Sequence, residues 1–197
     1  MPGALIAFEG LDQSGKETQA RLLRGWLEAR GRRCEFLSFP DYDTLLGQEI
    51  GRALHGQRDY SPEVAQLLFV ANRYEHRARI EQWLADGAIV LCDRYLASTI
   101  AYGEAQGLDP AWLAAIQRFL PQPALTVFLD IVPETAARRK AAGRDRFERD
   151  LALLARVRAS YSRQAAQPGW HRIDGERQAD AVASDVATIV STRLARP

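Results

Sequence analysis

The chain predicts an α/β fold in three layers, with a central five-stranded parallel sheet flanked by helices. Two observations point there. Five short apolar runs alternate with longer segments whose apolar residues recur at helical spacing, and strands alternating with helices build βαβ units and a parallel sheet. The first run also passes into a helix through a glycine-bounded turn, and open parallel sheets bind ligands at the carboxyl ends of their strands. A chain of 197 residues, 47% of them hydrophobic, has the apolar material for one domain over 1–197, and it shows no repeat, low-complexity stretch or linker.

Ala4 to Glu9 (ALIAFE) reads as a buried strand, and Gly10 to Gly15 as the loop after it. Lys16 to Arg30 sets Leu22, Leu23, Trp26 and Leu27 at helical spacing and stops before Gly31. Cys34 to Phe39 is the second strand, ended by Pro40, and Leu45 to Leu54 a short helix. Ser61 caps the next helix, with Pro62 in its first turn. That helix is expected to turn Val64, Leu67, Leu68 and Phe69 inward, and either to run on or to break before Ile80 to Ala85. Ala88 to Cys92, Leu125 to Ile131 and Trp170 to Ile173 are the remaining strands. Helices are expected over Pro110 to Phe119, over Pro133 to Lys140, from beyond Arg149 to about Gln167, and over Asp180 to Leu194.

Lys and Arg number 26 against 25 Asp and Glu, a net charge of +1. That balance lacks the basic excess of a non-specific nucleic-acid binder. The two cysteines, Cys34 and Cys92, support neither a disulfide scaffold nor a four-ligand zinc site. Both lie in apolar runs and read as buried free thiols of a reducing compartment. Met1 to Phe8 carries no basic residue and does not read as a signal peptide. No apolar run approaches the ~20 residues that span a membrane. A cytoplasmic protein without a membrane partner is expected.

Gly10-Leu11-Asp12-Gln13-Ser14-Gly15-Lys16 matches the first seven positions of G-x-x-x-x-G-K-[ST], between a strand and a helix as that motif requires. Glycines let backbone N–H groups turn towards phosphate oxygens, the helix start offers unpaired N–H groups and a positive dipole end, and Lys16 adds a point charge. The eighth position departs from the motif. It is Glu17, where a hydroxyl normally holds Mg²⁺, and Thr18 follows about 100° further round the helix. Either Glu17 turns away as a first-turn carboxylate, or other groups hold the ion.

With the later segments included, the chain resembles thymidylate kinases from about Ile6 to Asp174. The resemblance implies the P-loop nucleoside-monophosphate kinase fold with a short lid at about 138–149, ATP as phosphoryl donor, dTMP as acceptor, Mg²⁺, and a homodimer. It implies an ATP phosphate site over Gly10, Leu11, Asp12, Gln13, Ser14, Gly15, Lys16, Glu17 and Thr18, with Asp12 near the acceptor phosphate and the metal. Phe39-Pro40-Asp41-Tyr42 resembles the family's segment after the second strand. Members often carry Arg at the third or fourth of these positions, so Tyr42 is left to donate a hydroxyl hydrogen bond.

Phe69-Val70-Ala71-Asn72-Arg73 resembles the stretch that reads the base. By that likeness Phe69 stacks on thymine and Arg73, four residues on and on the same helix face, reaches its O4. Taken alone, such a pair is ordinarily a core Phe and a surface Arg. Asp93-Arg94-Tyr95 resembles the family's motif at a strand end, where the Asp lies near metal and acceptor oxygen and the Arg bridges the transferring phosphate; a planar cation with parallel donors suits that task. Ser98 and Thr99 follow on the next helix, Thr99 at the family's position touching N3 or O4. Tyr102 resembles the aromatic that packs on the sugar and disfavours a 2′-hydroxyl.

Arg138, Arg139, Lys140, Arg144 and Arg146 put five cations in nine residues. A solvated basic helix is one reading. Neutralising the equatorial oxygens of a phosphoryl group in transfer is the other, and Arg144 and Arg146 are both candidates for it. Asp145-Arg146-Phe147-Glu148 resembles the lid's closing motif, with Glu148 a candidate metal ligand beside Asp12 and Asp93. Asp174 to Asp180 resembles the loop bordering adenine. Asp12, Lys16, Asp93, Arg94, Arg144 and Arg146 are the expected catalytic set. Two rivals stay open: a kinase for another nucleoside or monophosphate, against which Phe69, Arg73, Thr99 and Tyr102 speak together, and a nucleotide-binding module without catalysis, which only Glu17 favours.

Overall fold

In the computed structural model, which describes residues 3–140, 142, 143, 145 and 147–195, the five apolar runs become β1 (Ala4–Glu9), β2 (Cys34–Ser38), β3 (Ile89–Asp93), β4 (Leu125–Asp130) and β5 (Trp170–Asp174). They form one parallel sheet in the order β2-β3-β1-β4-β5. Ile6 of β1 lies opposite Leu91 on one side and Leu125 on the other. The carboxyl ends of β3, β1 and β4 therefore sit side by side, and the loops that leave them meet above the sheet.

Successive strand side chains point to opposite faces, and this alternation decides which helix covers which face. Ile6 and Phe8 pack with Leu23 and Leu27 of α1 (Lys16–Glu28) and with Val182, Val186 and Val190 of α9 (Ala179–Leu194). Leu5 and Ala7 face the other way, towards Ile80 and Trp83 of α4 (Arg77–Ala85). On that face α5 (Leu96–Ala105) and α8 (Leu151–Gln164) close over Phe128 through Ala101, Val157 and Tyr161. Burying one such large side chain contributes roughly 1.5–3 kcal/mol as an upper figure.

The remaining helices are α2 (Leu45–Leu54), α3 (Pro62–Glu75), α6 (Pro110–Ala115) and α7 (Pro133–Arg139). Their starts follow the local signals. Thr44 Oγ1 accepts from Gly47 N at 3.0 Å, Ser61 Oγ from Val64 N at 3.4 Å, and Asp150 Oδ1 from Leu153 N at 2.9 Å. The helix after Ser61 breaks at His76, whose ring packs edge-on to Phe39 at 5.5 Å.

Two expectations are corrected. α6 stops at Ala115, and Phe119 lies in the turn beyond it, 57% exposed. On α3, Val64 and Leu67 face outward at 41% and 45% exposure, while Gln66, Val70, Asn72 and Arg73 are buried. The helix turns a largely polar face inward because that face borders a cleft and the loop after β2. Among the described residues no helix is long and apolar enough to cross a membrane.

Candidate active site

The loop after β1 is shaped by its backbone. Gly10 has φ 144, and a Cβ there would lie 2.5 Å from the Leu129 carbonyl oxygen, so only glycine lets β1 turn so close to β4. Gly15, at φ 93, starts α1 without a side-chain cap, which leaves helix N–H groups facing the loop. Lys16 is buried and folds back, its Nζ donating to Leu11 O at 2.9 Å. Burial and then the nearby Arg94 push its ammonium down. Glu17 turns outward and accepts from Arg21 at 2.7 Å, and Thr18 is exposed. Both belong to the expected ATP phosphate set; the Glu17 side chain is taken up by its own helix, while the Thr18 side chain is open to solvent. The departure from the motif therefore falls on a carboxylate paired with its own helix.

β3 delivers Asp93 and Arg94 to the same edge. Arg94 adopts φ 62, a left-handed conformation that costs a non-glycine residue about 1 kcal/mol or more. The strain is held by Arg94 N donating to Phe8 O at 2.9 Å and by the side chain's partners. Arg94 Nη2 donates to Asp12 Oδ1 at 2.7 Å and to Tyr102 OH at 3.1 Å; Nη1 donates to Ser98 Oγ at 3.1 Å and Tyr161 OH at 3.3 Å. Tyr102 OH in turn donates to Asp12 Oδ2 at 3.0 Å. Burial pushes the Asp12 carboxyl up, but Arg94 and Lys16 outweigh it and hold the group well below the usual carboxylate range. For Asp93, burial wins over the same two cations and the carboxyl is pushed up.

Beside this cluster opens a cleft. Asp12, Arg94, Ser98 and Tyr102 line one part of it, and Phe69, Arg73 and Thr99 line another; Phe39 and Tyr42 contribute from the segment after β2. Arg73 is 2% exposed and Nη1 donates to Thr99 Oγ1 at 2.5 Å. Burial pushes its guanidinium down. The cleft thus pairs a buried planar donor and an aromatic ring with a charged end next to the phosphate-type loop. Asp41 does not enter it. Its N–H donates to Asn72 Oδ1 at 2.8 Å, and its Oδ2 lies 3.0 Å from His76 Nε2, so it ties the loop to α3.

The lid divides. Arg144 and Arg146 lie outside the described residues. Arg139 donates to Gln13 O at 3.0 Å and to Gly175 O at 2.9 Å, joining the loop after β1 to the loop after β5. Glu148 is buried and takes Lys140 Nζ on both oxygens at 3.0 and 2.8 Å. Among the described residues no three metal-ligating side chains cluster, so Glu148 is not gathered with Asp12 and Asp93. The carboxylate from this segment that lines the cleft is Asp145.

Sequence reading missed Glu9, Gln66 and Tyr161. Glu9 is fully buried under Ser98 and Tyr161; an acidic residue closing an apolar strand was a visible signal, the same one that marked Asp93. Gln66 is buried, lines the cleft, and its Nε2 has no partner among the described residues. Tyr161 looks like any core aromatic of a helix and carried no signal.

A family model described as thymidylate kinase matches residues 8–186. The chain is 42% identical to a thymidylate kinase of Arabidopsis thaliana over 75% of its own length and 56% of that protein's. It is 33% identical to the thymidylate kinase of Plasmodium falciparum over 99% and 93% of the two chains. Among solved structures, a thymidylate kinase from Candida albicans superposes with a TM-score of 0.83 at 32% identity, covering 97% of this chain and 92% of that one.

Proposed function

The chain belongs to the thymidylate kinase family and phosphorylates dTMP towards dTTP; on that premise we propose ATP as donor, Mg²⁺ as metal, and a division of labour among the chain's own residues. The reaction is ATP + dTMP → ADP + dTDP. The observation that carries the assignment is the cleft with Arg73 and Thr99 paired over one part and Asp12, Arg94 and Tyr102 joined over another.

The N–H groups of Gly10 to Lys16 and the Lys16 ammonium hold the donor phosphates. Phe69 stacks on thymine, Arg73 donates to O4, and Thr99 completes the edge. Tyr102 packs on the sugar and disfavours a 2′-hydroxyl, and Phe39, Tyr42 and Ser98 shape the rest of the acceptor site. The acceptor phosphate is mostly ionised near neutral pH, because its second pKa is about 6, so no strong base is needed. Arg94 neutralises the group in transfer, and Asp12 aims it. Arg144 and Arg146, outside the described residues, are the two candidates for the cation of a lid at about 138–149.

Asp93 fits a metal. Its Oδ1 is buried without a partner among the described residues, beside Lys16 and Asp12, and a hard cation takes carboxylate oxygen. Mg²⁺, when bound, neutralises phosphate charge and holds the oxygens for in-line displacement. Asp93 and Asp12 would hold it, and Glu148 would join only on release from Lys140. The chain works as one domain over 1–197, as a homodimer, in the cytoplasm, where its two buried free cysteines are at home.

An ADP-release assay with ATP and Mg²⁺ across dTMP, dUMP, dCMP, AMP, GMP and thymidine tests the assignment. Strong preference for dTMP is expected. Preference for any other acceptor discards the base-reading roles, and silence with all six overturns the function.

A further inference from the structure

Glu9 closes β1 inside the molecule, with no solvent exposure. Among the described residues its hydrogen-bond partners are all donors. Oε1 accepts from Tyr95 N at 2.8 Å and Ser98 N at 3.3 Å, and so caps α5, whose own first residues supply no side-chain cap. Oε2 accepts from Ser98 Oγ at 2.7 Å and Tyr161 OH at 3.0 Å. Those two hydroxyls lie 2.8 Å apart and are the groups that accept from Arg94 Nη1.

A hydroxyl has one proton and two lone pairs. With a carboxylate on one side, the Ser98 and Tyr161 protons are drawn towards Glu9 or shared between the two oxygens. Their lone pairs are then left for Arg94. Burial and the Glu9 charge hold the Tyr161 phenol well above its ordinary value, so it keeps the proton it donates. We propose that Glu9 is a positioning residue for phosphoryl transfer: it sets the polarity of Ser98 and Tyr161, and these hold Nη1 of Arg94 while Asp12 holds Nη2. A guanidinium gripped on both nitrogens stays in its left-handed, strained backbone setting and presents one orientation to the cleft. This rests on the reading of Arg94 as the cation of the transferred phosphate.

Glu9→Gln keeps the shape and reverses the polarity. Its amide accepts from the α5 N–H groups as before, but its NH₂ now donates to both hydroxyls and turns their protons towards Arg94. The test is a double-mutant cycle of Glu9→Gln with Arg94→Lys, read as kcat and KM for ATP and dTMP, with thermal melting alongside. Glu9→Gln is expected to lower kcat about 30-fold with KM for ATP within about twofold, a loss in the range of charge-assisted hydrogen bonds. On the Arg94→Lys background the same change is expected to cost about twofold or less, because the group it positions is gone. Should Glu9→Gln not fold, Tyr161→Phe carries the same cycle with about a tenfold loss. Full kcat in Glu9→Gln or Tyr161→Phe while Arg94→Lys is impaired overturns the inference, as do losses that simply multiply in the double variant. A wild-type enzyme silent towards dTMP overturns the assignment of function itself, a separate result.

Discussion

Asp12 and Arg73 show how a part-buried ion pair and a buried cation held by neutral groups are used differently. Asp12 has both oxygens engaged, by Arg94 and by Tyr102, and its carboxyl is held below the usual range. An acid depressed in the folded state stabilises fully above its unfolded value of about 4, and that contribution fades as pH falls below it. Asp12→Asn leaves the part-buried Arg94 without its charge partner, so urea unfolding should show a loss of about 1.5–3 kcal/mol at pH 7. The gap to wild type should narrow at pH 3; a gap independent of pH would contradict the pairing. Among the described residues the Arg73 guanidinium donates to the Thr99 hydroxyl and the Phe69 carbonyl and has no carboxylate partner. Replacing a desolvated cation by an apolar chain is often neutral or stabilising. Arg73→Met should therefore melt no lower than wild type yet lose about 10²-fold or more in kcat/KM for dTMP, as sites built to hydrogen-bond a polar group do without it.

α2 and α3 are positioned by the loop between β2 and α2. Asn72 of α3 accepts from Asp41 N and donates to Thr44 Oγ1 at 2.9 Å, and Thr44 caps α2. The same loop presses on α2 itself: a Cβ at Gly47 would lie 1.7 Å from the Asp41 carbonyl oxygen. Gly47→Ala must push α2 off this loop, and overpacking of that kind costs about 1–3 kcal/mol. Denaturant melts should record that loss, with a raised KM for dTMP because Tyr42 and Phe39 move with the loop. An unchanged melt would show that α2 is free to shift. The polar inward face of α3 follows from the same contacts. Gln66, Asn72 and Arg73 are buried not by apolar packing but by a cleft and a loop that need hydrogen-bond partners.

For the whole molecule, the outward face of α2 and α3 carries Leu45 at 82% exposure with Val64 and Leu67, an apolar set that a second copy would cover. Sedimentation should give a species of twice the 22.0 kDa chain mass, and Leu67→Glu should return it to the monomer. A monomeric wild type would remove the dimer from the proposal. Glu9 and Asp93, at the ends of neighbouring strands, bring charge to the carboxyl edge of a sheet whose β4 and β5 also end on Asp. That edge is where β1 and β3 run side by side.

Local signals determined much of this protein. Apolar runs bounded by glycine and proline marked the five strands; Ser61 and Pro62 marked the start of α3; the glycine loop with Lys16 marked the anion site. Each of these depends on a few consecutive residues, and backbone sterics, capping and strand alternation act at that range. Tertiary structure decided what depends on distant partners. Whether Val64 or Gln66 faces inward, whether Glu148 meets Lys140 or Asp12, and that Glu9 reaches Ser98 and Tyr161 are set by groups far along the chain. Only packing brings them together, because a buried polar atom is tolerated where its partners converge and nowhere else.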